Sequence, residues 1–333
     1  MSAGRGWGPW SRIKLEALED YLAAFTRASS STKTLYLDLF AGASQNFERG
    51  TGDVIRSSGH RALSVSPHFS RVVLCEMQQT TAANLEMELR AQYPGRSLEV
   101  LRGDCNVEIP GYLKTLSIDW PRYAAVFAMV DQFSAEISWD TLEYLSRFRR
   151  NKRGFKVELW LYFGHGLLPR GLGLGDEPDK AAVKRVQEYA DRIDRMYGTA
   201  QWRELWRARE AGSLSGASFR GELVNLMRWR LERVLGYKTT LPLEFTNENG
   251  NPIYTVIFAT SNDTGAHIMN SVFSKHGVAL ANMRNMSKAA KRLEREEDAG
   301  EFSLFGAEEI GTLMTCTTVR EPLMPPVEPY RFP

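Results

Sequence analysis

The sequence predicts an α/β protein. Its expected core is a doubly wound, mostly parallel seven-stranded sheet that ends in an antiparallel hairpin, with a helical insertion. Three observations carry this. Five continuous apolar runs alternate with helical or polar stretches, the pattern of strands buried on both faces by helices. A block from Asp179 to Gly236 is almost purely helical in period. Two later apolar runs flank Asn249-Gly250, a strong hairpin-turn dipeptide.

The elements follow in order. Residues 13–27, "IKLEALEDYLAAFTR", place Ile13, Leu18, Leu22 and Phe25 on one helical stripe. Strand one is Leu35–Phe40 and breaks into a small-residue turn, "AGAS". "SQNFERGTGDVIRSSG" reads as a long polar loop, and "HRALSV" as the start of a short helix. "RVVLCEM" is the second strand. "TTAANLEMELRAQY" is a helix with Thr80 or Thr81 as its N-cap. "SLEVLRGDCN", "AAVFAMVDQF" and "KVELWLYFG" are strands three to five, and "SWDTLEYLSRF" is a helix between the last two. "KAAVKRVQEYADRIDRMYG" and "RGELVNLMRWRLERVLG" are helices stopped by Gly198 and Gly236. "GAHIMNSVFSKHG" is a further helix after the hairpin. The expected organisation is a domain over 1–280, with the helical insertion at about 176–236. A charged helix and a Pro-rich tail occupy 281–333.

Composition excludes several classes. Apolar residues make up 43% and charged residues 25%, which argues against global disorder. A net charge of +2 gives no whole-chain electrostatic case for nucleic acid. Cys75, Cys105 and Cys316 are scattered with no CxxC pair, so neither a disulfide framework nor a cysteine zinc site is expected. No run reaches ~18 apolar residues and the N-terminus lacks an apolar signal core, so the reading is cytoplasmic, with no membrane partner.

The chemistry sits in a series of carboxylates. Asp38, Glu76, Asp104 and Asp131 lie at or near the ends of four successive strands. An open parallel sheet binds ligands outside its carboxyl edge, where the strand order reverses, and strand one with its small-residue turn is the natural place for that reversal. An acid ending the second strand can accept hydrogen bonds from two ribose hydroxyls. The chain has neither G-x-G-x-x-G nor GxxxxGK[ST], so a phosphate-bearing nucleotide is not expected. S-adenosylmethionine, with an ammonium, a sulfonium and no phosphate, suits an acidic rim. The terminal hairpin is what a class I methyltransferase-like Rossmann fold adds to a doubly wound sheet. Each acid also has a structural reading, as a turn former or a helix cap. Cys105 reads as a small buried residue rather than a reactive thiol.

The motifs "WSRIKLEALEDYLAAF", "YLDLFAGAS", "GDCNVEI", "VDQFSAEISWDTLEYL", "VELWLYFGHGLLPRGL", "RIDRMYGTAQWRELW" and "NPIYTVIFATSNDTGAHIM" resemble, in order and spacing, the three-Cys-motif partner proteins. These are a bacterial family with a methyltransferase-like fold, and the resemblance reaches to about Lys275. It implies S-adenosylmethionine as cofactor and a partner protein carrying three cysteines. It implies that Asp38, Phe40 and Gly42 form the cofactor-binding first motif, Glu76 the ribose acid, and Asp104 with Cys105 the adenine side. Asp131, Gln132 and Phe133 match the fourth motif, Asp-Pro-aromatic in the family, which amino-methyltransferases use to orient a target nitrogen. Here Gln132 replaces the proline, and Ser44 replaces the third small residue of the first motif.

On this reading Asp131 and Gln132 orient the acceptor and Phe133 either packs over it or belongs to the core. His165, after the fifth strand, is either a general base or a structural donor. Trp139 and Trp160 read as core aromatics. "RFRRNKRGFK", Arg147–Lys156, is either a nucleic-acid contact or a solvated helix end. Two other function classes stand beside methyl transfer. One is a non-catalytic binding module for a partner protein or nucleic acid; the other is a metal-dependent nuclease, for which no closely spaced acid pair exists.

Overall fold

The structure is a computed structural model that describes residues 7–48, 51–116, 123–148, 155–166, 168–173, 179–247 and 251–298. The helices are α1 (Pro9–Ala28), α2 (Ser58–Ser64), α3 (Gln79–Gln92), α4 (Cys105–Thr115), α5 (Trp139–Phe148), α6 (Lys180–Tyr197), α7 (Trp202–Glu210), α8 (Gly216–Trp229) and α9 (Asp263–Asp298). The strands are β1 (Lys33–Asp38), β2 (Gln45–Phe47), β3 (Val54–Arg56), β4 (Arg71–Glu76), β5 (Leu98–Arg102), β6 (Tyr123–Val130), β7 (Glu158–Phe163), β8 (Thr239–Thr246) and β9 (Pro252–Thr260).

Seven strands form one sheet in the order β5-β4-β1-β6-β7-β9-β8. Five are parallel; β9 runs antiparallel to β7 and to β8. This is the expected doubly wound sheet with its terminal hairpin. The chain winds from β1 outward through β4 and β5, then returns to β6 on the other side of β1. The order therefore reverses at β1, and the ligand edge lies at its carboxyl end.

Alternation along each strand divides the core in two. Leu35, Leu37, Val73, Val126 and Ala128 face one side, where α4, α5 and the helical block α6–α8 cover them. Tyr36, Val72, Leu74, Phe127 and Trp160 face the other, under α1, α2, α3 and α9. Each fully buried Leu or Phe contributes about 1.5–3 kcal/mol relative to exposure, so neither face tolerates a polar substitution. Pro242 sits in β8, the edge strand, where its missing N–H costs no ladder bond to a further strand. Gly198 ends α6 at φ 64°, and a β-carbon there would lie 2.4 Å from the Trp139 ring, so both conformation and space require glycine.

Several details differ from the expectations. The polar loop after strand one contains an antiparallel pair, β2 with β3. The third strand ends at Arg102, and Asp104-Cys105 begin α4 instead of continuing it. Gln78, not Thr80 or Thr81, precedes α3, and its side chain makes no cap bond. Helix α8 passes directly into a π-helical turn at Arg230–Val234. Helix α9 is continuous across residue 281, so the expected boundary falls inside one helix. The Asn249-Gly250 turn, Cys316 and the Pro-rich tail lie outside the described residues.

Candidate functional site

Parallel register brings the strand ends to one edge. Asp38 stands opposite Leu74 of β4 and Met129 of β6, while Glu76 stands opposite Arg102 of β5. Asp104 and Asp131 each follow two or fewer residues after their strands end. All four carboxylates thus belong to the carboxyl edge around β1.

Asp38 lies beneath the turn, fully buried. Its oxygens accept from Phe40 N at 3.1 Å, from the Ser58 hydroxyl, and from Tyr36 OH at 3.3 Å. Burial pushes its carboxyl up to about 6; the Ser58 and Phe40 hydrogen bonds pull the other way. The turn is stapled on both sides, Leu39 N to Met129 O and Ala41 N to Cys75 O, each 2.9 Å. Gly42 then turns at φ 66°, a conformation that disfavours any side chain, with open space beside its α-carbon. Its N–H donates to Glu76 Oε2 at 3.0 Å, and Glu76 Oε1 accepts from Gln78 N at 2.8 Å. The first motif and the ribose-acid position are therefore directly joined. Phe40 packs partly buried against the core.

Asp104 is the N-cap of α4, accepting from Asn106 N at 2.9 Å. Cys105 behind it is buried, which raises its thiol pKa; burial likewise pushes the Cys75 thiol up to about 12. Neither thiol is ionised near neutrality.

At the end of β6 an unexpected residue enters. Lys14 of α1 reaches the Asp131 carboxylate, its Nζ lying 2.7 and 2.5 Å from the two oxygens. Only 7% of the Lys14 side chain is exposed. The rings of Trp7, Tyr162 and Tyr254 surround the ammonium at 5.9, 5.5 and 5.9 Å, each within cation–π range. Sequence reasoning missed Lys14, although the signal was there. It lies four and eight residues before Leu18 and Leu22, on the buried stripe of α1, where an unpaired lysine does not belong.

Gln132 is buried and committed to its loop. Its Oε1 accepts from Glu136 N and Ile137 N, both at 2.9 Å, and its Nε2 donates to Tyr162 O at 3.3 Å. The amide shapes by hydrogen bonding the loop that a proline would shape with its ring. Phe133, by contrast, is 70% exposed, so its reading as plain core is corrected: the tight loop turns it outward. Asn106 ties α4 to this loop, its Nδ2 donating to Glu136 O at 3.0 Å and its Oδ1 accepting from Ser138 N at 2.8 Å.

His165 is fully buried with Nε2 3.1 Å from Thr255 Oγ1. Burial, then the nearby Arg220 charge, lowers its pKa to about 4, so it is neutral at pH 7. Trp139 and Trp160 are both core residues, as expected. Of the basic run, Arg147 pairs with Glu143 and Lys156 donates to Ser146 O at 3.3 Å; residues 149–154 lie outside the described residues. Among the described residues no group of three His, Cys, Asp or Glu is arranged to hold a metal ion. No helix among them is long and apolar enough to cross a membrane.

Two hollows open nearby. One of 560 Å³ is lined by Phe133, Ser134, Arg185, Tyr189 and Arg192, the other of 580 Å³ by His165, Trp206, Arg209 and Arg220; Arg170 lines both. Asp38, Glu76 and Asp104 line neither of them.

Against known proteins, no protein-family model matches the chain. No curated protein matches it either. Solved structures give only distant likenesses. The chain is similar to the Legionella pneumophila protein LPL1258 at 11% identity and TM-score 0.41, over 80% of this chain and 91% of that one. It is similar to the O-methyltransferase TomG from Streptomyces achromogenes, solved in complex with SAM, at 14% identity and TM-score 0.35, over 74% and 80%. A putative caffeoyl-CoA O-methyltransferase from Staphylococcus aureus gives 12% identity and TM-score 0.34, over 73% and 82%. Likenesses this distant decide nothing about ligand or reaction. The Rossmann-like fold is established by the strand order itself.

Proposed function

We propose that this chain is an S-adenosylmethionine-dependent methyltransferase with a nitrogen acceptor presented at Asp131. One observation carries the reading: at the strand-order switch, Gly42 N–H is held by Glu76. The open turn and the acid that would take the ribose hydroxyls are thereby fixed side by side, two strands from Asp131 on the same edge. A phosphate would be repelled there, whereas adenosine and a sulfonium are accommodated. Glu76 and the Gly42 turn would hold the cofactor, which would supply an activated methyl group on a good leaving group, and a nitrogen lone pair would be its acceptor. The protein's task is in-line placement. A carboxylate offers about four lone-pair sites. Lys14 takes one on each Asp131 oxygen, leaving others to accept an acceptor N–H. Exposed Phe133 covers the acceptor from the side. Asp104 and Cys105 are the residues that would border the adenine.

Titration calorimetry with S-adenosylmethionine tests this directly. Binding well below 1 mM is expected, weakened at least tenfold in Glu76→Ala. Absence of heat at ~1 mM would defeat the reading, since that corresponds to only about 4 kcal/mol of binding. Asp131→Ala should retain the cofactor and lose transfer; retained turnover removes Asp131 from its role. The family resemblance adds a three-cysteine partner protein. Co-expression with such a partner should raise turnover, and equal turnover without it removes the partner.

A second reading is a non-catalytic binding module, and the Lys14 contact favours it. The chain's own ammonium occupies the Asp131 carboxylate inside an aromatic cage. A fold that binds no cofactor in calorimetry would be that module.

A further inference from the structure

The two hollows beside the Asp131 loop are basic, and neither is used by the cofactor reading. Both lie at the carboxyl edge, one after β6 and one after β7. They meet at Arg170, a residue of the 3-10 turn Leu168–Gly171.

Their cations are unusually bare. Arg170, Arg185, Arg192 and Arg209 are exposed. No ion pair joins these four or Arg220 to a carboxylate among the described residues, in contrast to Arg203, which pairs with both Asp191 and Asp194. Arg209 and Arg220 converge on the first turn of α8. A β-carbon at Gly216 would lie 3.6 Å from Arg220 Nη1 and 3.7 Å from Arg209 Nη2. Two guanidinium groups at the amino end of a 14-residue helix concentrate positive potential there. Buried polar atoms in the same wall lack partners: the Arg220 Nε donor, and Nδ1 of the fully buried His165, a donor in the tautomer whose Nε2 accepts from Thr255. An unsatisfied buried donor is unfavourable, and an anionic ligand would relieve it. Glu210 lines this hollow as well, and Glu136 the other, where Glu136 is occupied by Ser134 N at 2.7 Å.

Planar groups interleave with the charges. Phe133 stands 70% exposed at one end and Trp206 half-buried at the other. Between them the Arg192 guanidinium lies over the Tyr189 ring, 5.1 Å from its centroid. The helical segment 179–236 carries twelve Lys and Arg against eight Asp and Glu, so the basic excess is concentrated where the hollows are, in a chain of net charge only +2. Bare arginines that track a backbone, alternating with exposed rings, are the chemistry that holds single strands.

We propose that the two hollows form one groove for single-stranded nucleic acid, in which Arg209 and Arg220 hold phosphate, Arg185 and Arg192 continue the track, and Phe133 stacks a base beside Asp131. Under the methyltransferase reading this makes a base nitrogen the methyl acceptor; strand binding itself does not rest on that reading.

The test is fluorescence anisotropy of the full chain with end-labelled 20-nucleotide RNA and DNA single strands, without cofactor, at 50 and 200 mM salt. Single-strand affinity falls with a log–log salt slope of about 0.7 per phosphate held, so four contacts predict roughly a 50-fold loss across that range. Arg209→Ala/Arg220→Ala should weaken binding at least tenfold at 50 mM salt and flatten the salt dependence. Arg185→Ala/Arg192→Ala, both on exposed positions, should do the same without a change in melting temperature, so the test stands even if the first pair fails to fold. Phe133→Ala should cost roughly tenfold by loss of stacking. Arg27→Ala/Lys114→Ala, two exposed cations at the ends of α1 and α4 on the opposite edge of the sheet, is the charge-matched control and should leave affinity unchanged. Lack of binding by the wild type overturns the proposal, as does binding indifferent to salt. So does a loss in the control equal to that in the groove variants. Because no cofactor is present, these outcomes are independent of the calorimetric test of methyl transfer.

Discussion

Asp38 and His165 are both buried and ionisable, and they move stability in opposite directions with pH. Asp38 has a folded pKa raised to about 6, above its unfolded value. Its contribution is full below about pH 4 and is lost as pH rises through 6. A rise of about two units corresponds to roughly 3 kcal/mol. His165 has a folded pKa lowered to about 4, so its contribution is present above pH 6.5 and is lost as pH falls toward 4. The two oppose each other across the same window, and a wild-type profile alone will not separate them. The stability difference between wild type and Asp38→Asn should therefore fall by about 2 kcal/mol between pH 4 and pH 6.5, read from denaturant midpoints. A difference that stays flat would mean the buried carboxyl titrates normally. The Lys14–Asp131 pair offers a second measurement at this scale. Breaking a mostly buried pair leaves an uncompensated charge. Lys14→Met should cost about 3 kcal/mol, and Lys14→Met/Asp131→Asn should recover much of it. Additive losses in this double-mutant cycle would show that the contact contributes nothing.

At the scale of elements, Asp104 has two candidate roles that a substitution can separate. As N-cap of α4 it satisfies an amide that would otherwise be orphaned. Asp104→Ala should lose about 1 kcal/mol, and Asp104→Ser, which keeps an acceptor but no charge, should regain most of it. Cofactor affinity in the serine variant then reports the carboxylate alone. If alanine and serine are equally destabilised, the capping role fails. The legibility of the sequence follows the same divide between periodic and irregular chain. The strands of the large sheet were readable because burial on both faces makes them continuous apolar runs, and α6 because its period is clean and Gly198 stops it. Helix α4 was not, because Asp104-Cys105 looked like a strand end and Pro110 interrupts the helical pattern. The β2–β3 pair was not, because strands of three residues with mostly exposed side chains leave no alternation to detect. The four acids were legible because strand ends are. Lys14 was not, because its partner lies 117 residues away, and the arginine groove was not, because it forms only when α6, α7 and α8 fold against the loops after β6 and β7.

The molecule as a whole is built on one seven-stranded sheet with a separate apolar core on each face. The candidate site sits on the edge where the two cores meet, with Lys14 reaching it from α1 on one face and Asn106 bracing it from α4 on the other. Ligands bound there touch elements from both layers, so their binding energy appears as stability of the entire fold. A cofactor at one hundred times its dissociation constant should add about 2.7 kcal/mol, and a chain of this size should melt roughly 5 °C higher. Glu76→Ala, by loosening the turn at Gly42, should abolish most of that shift while changing the ligand-free melting point much less, because Glu76 lies at the rim. Single-stranded nucleic acid should give its own shift in low salt, lost in the Arg185→Ala/Arg192→Ala variant, and the two shifts should add if both ligands are held at once. A cofactor shift unchanged by Glu76→Ala would place the cofactor elsewhere, whatever the chemistry at Asp131.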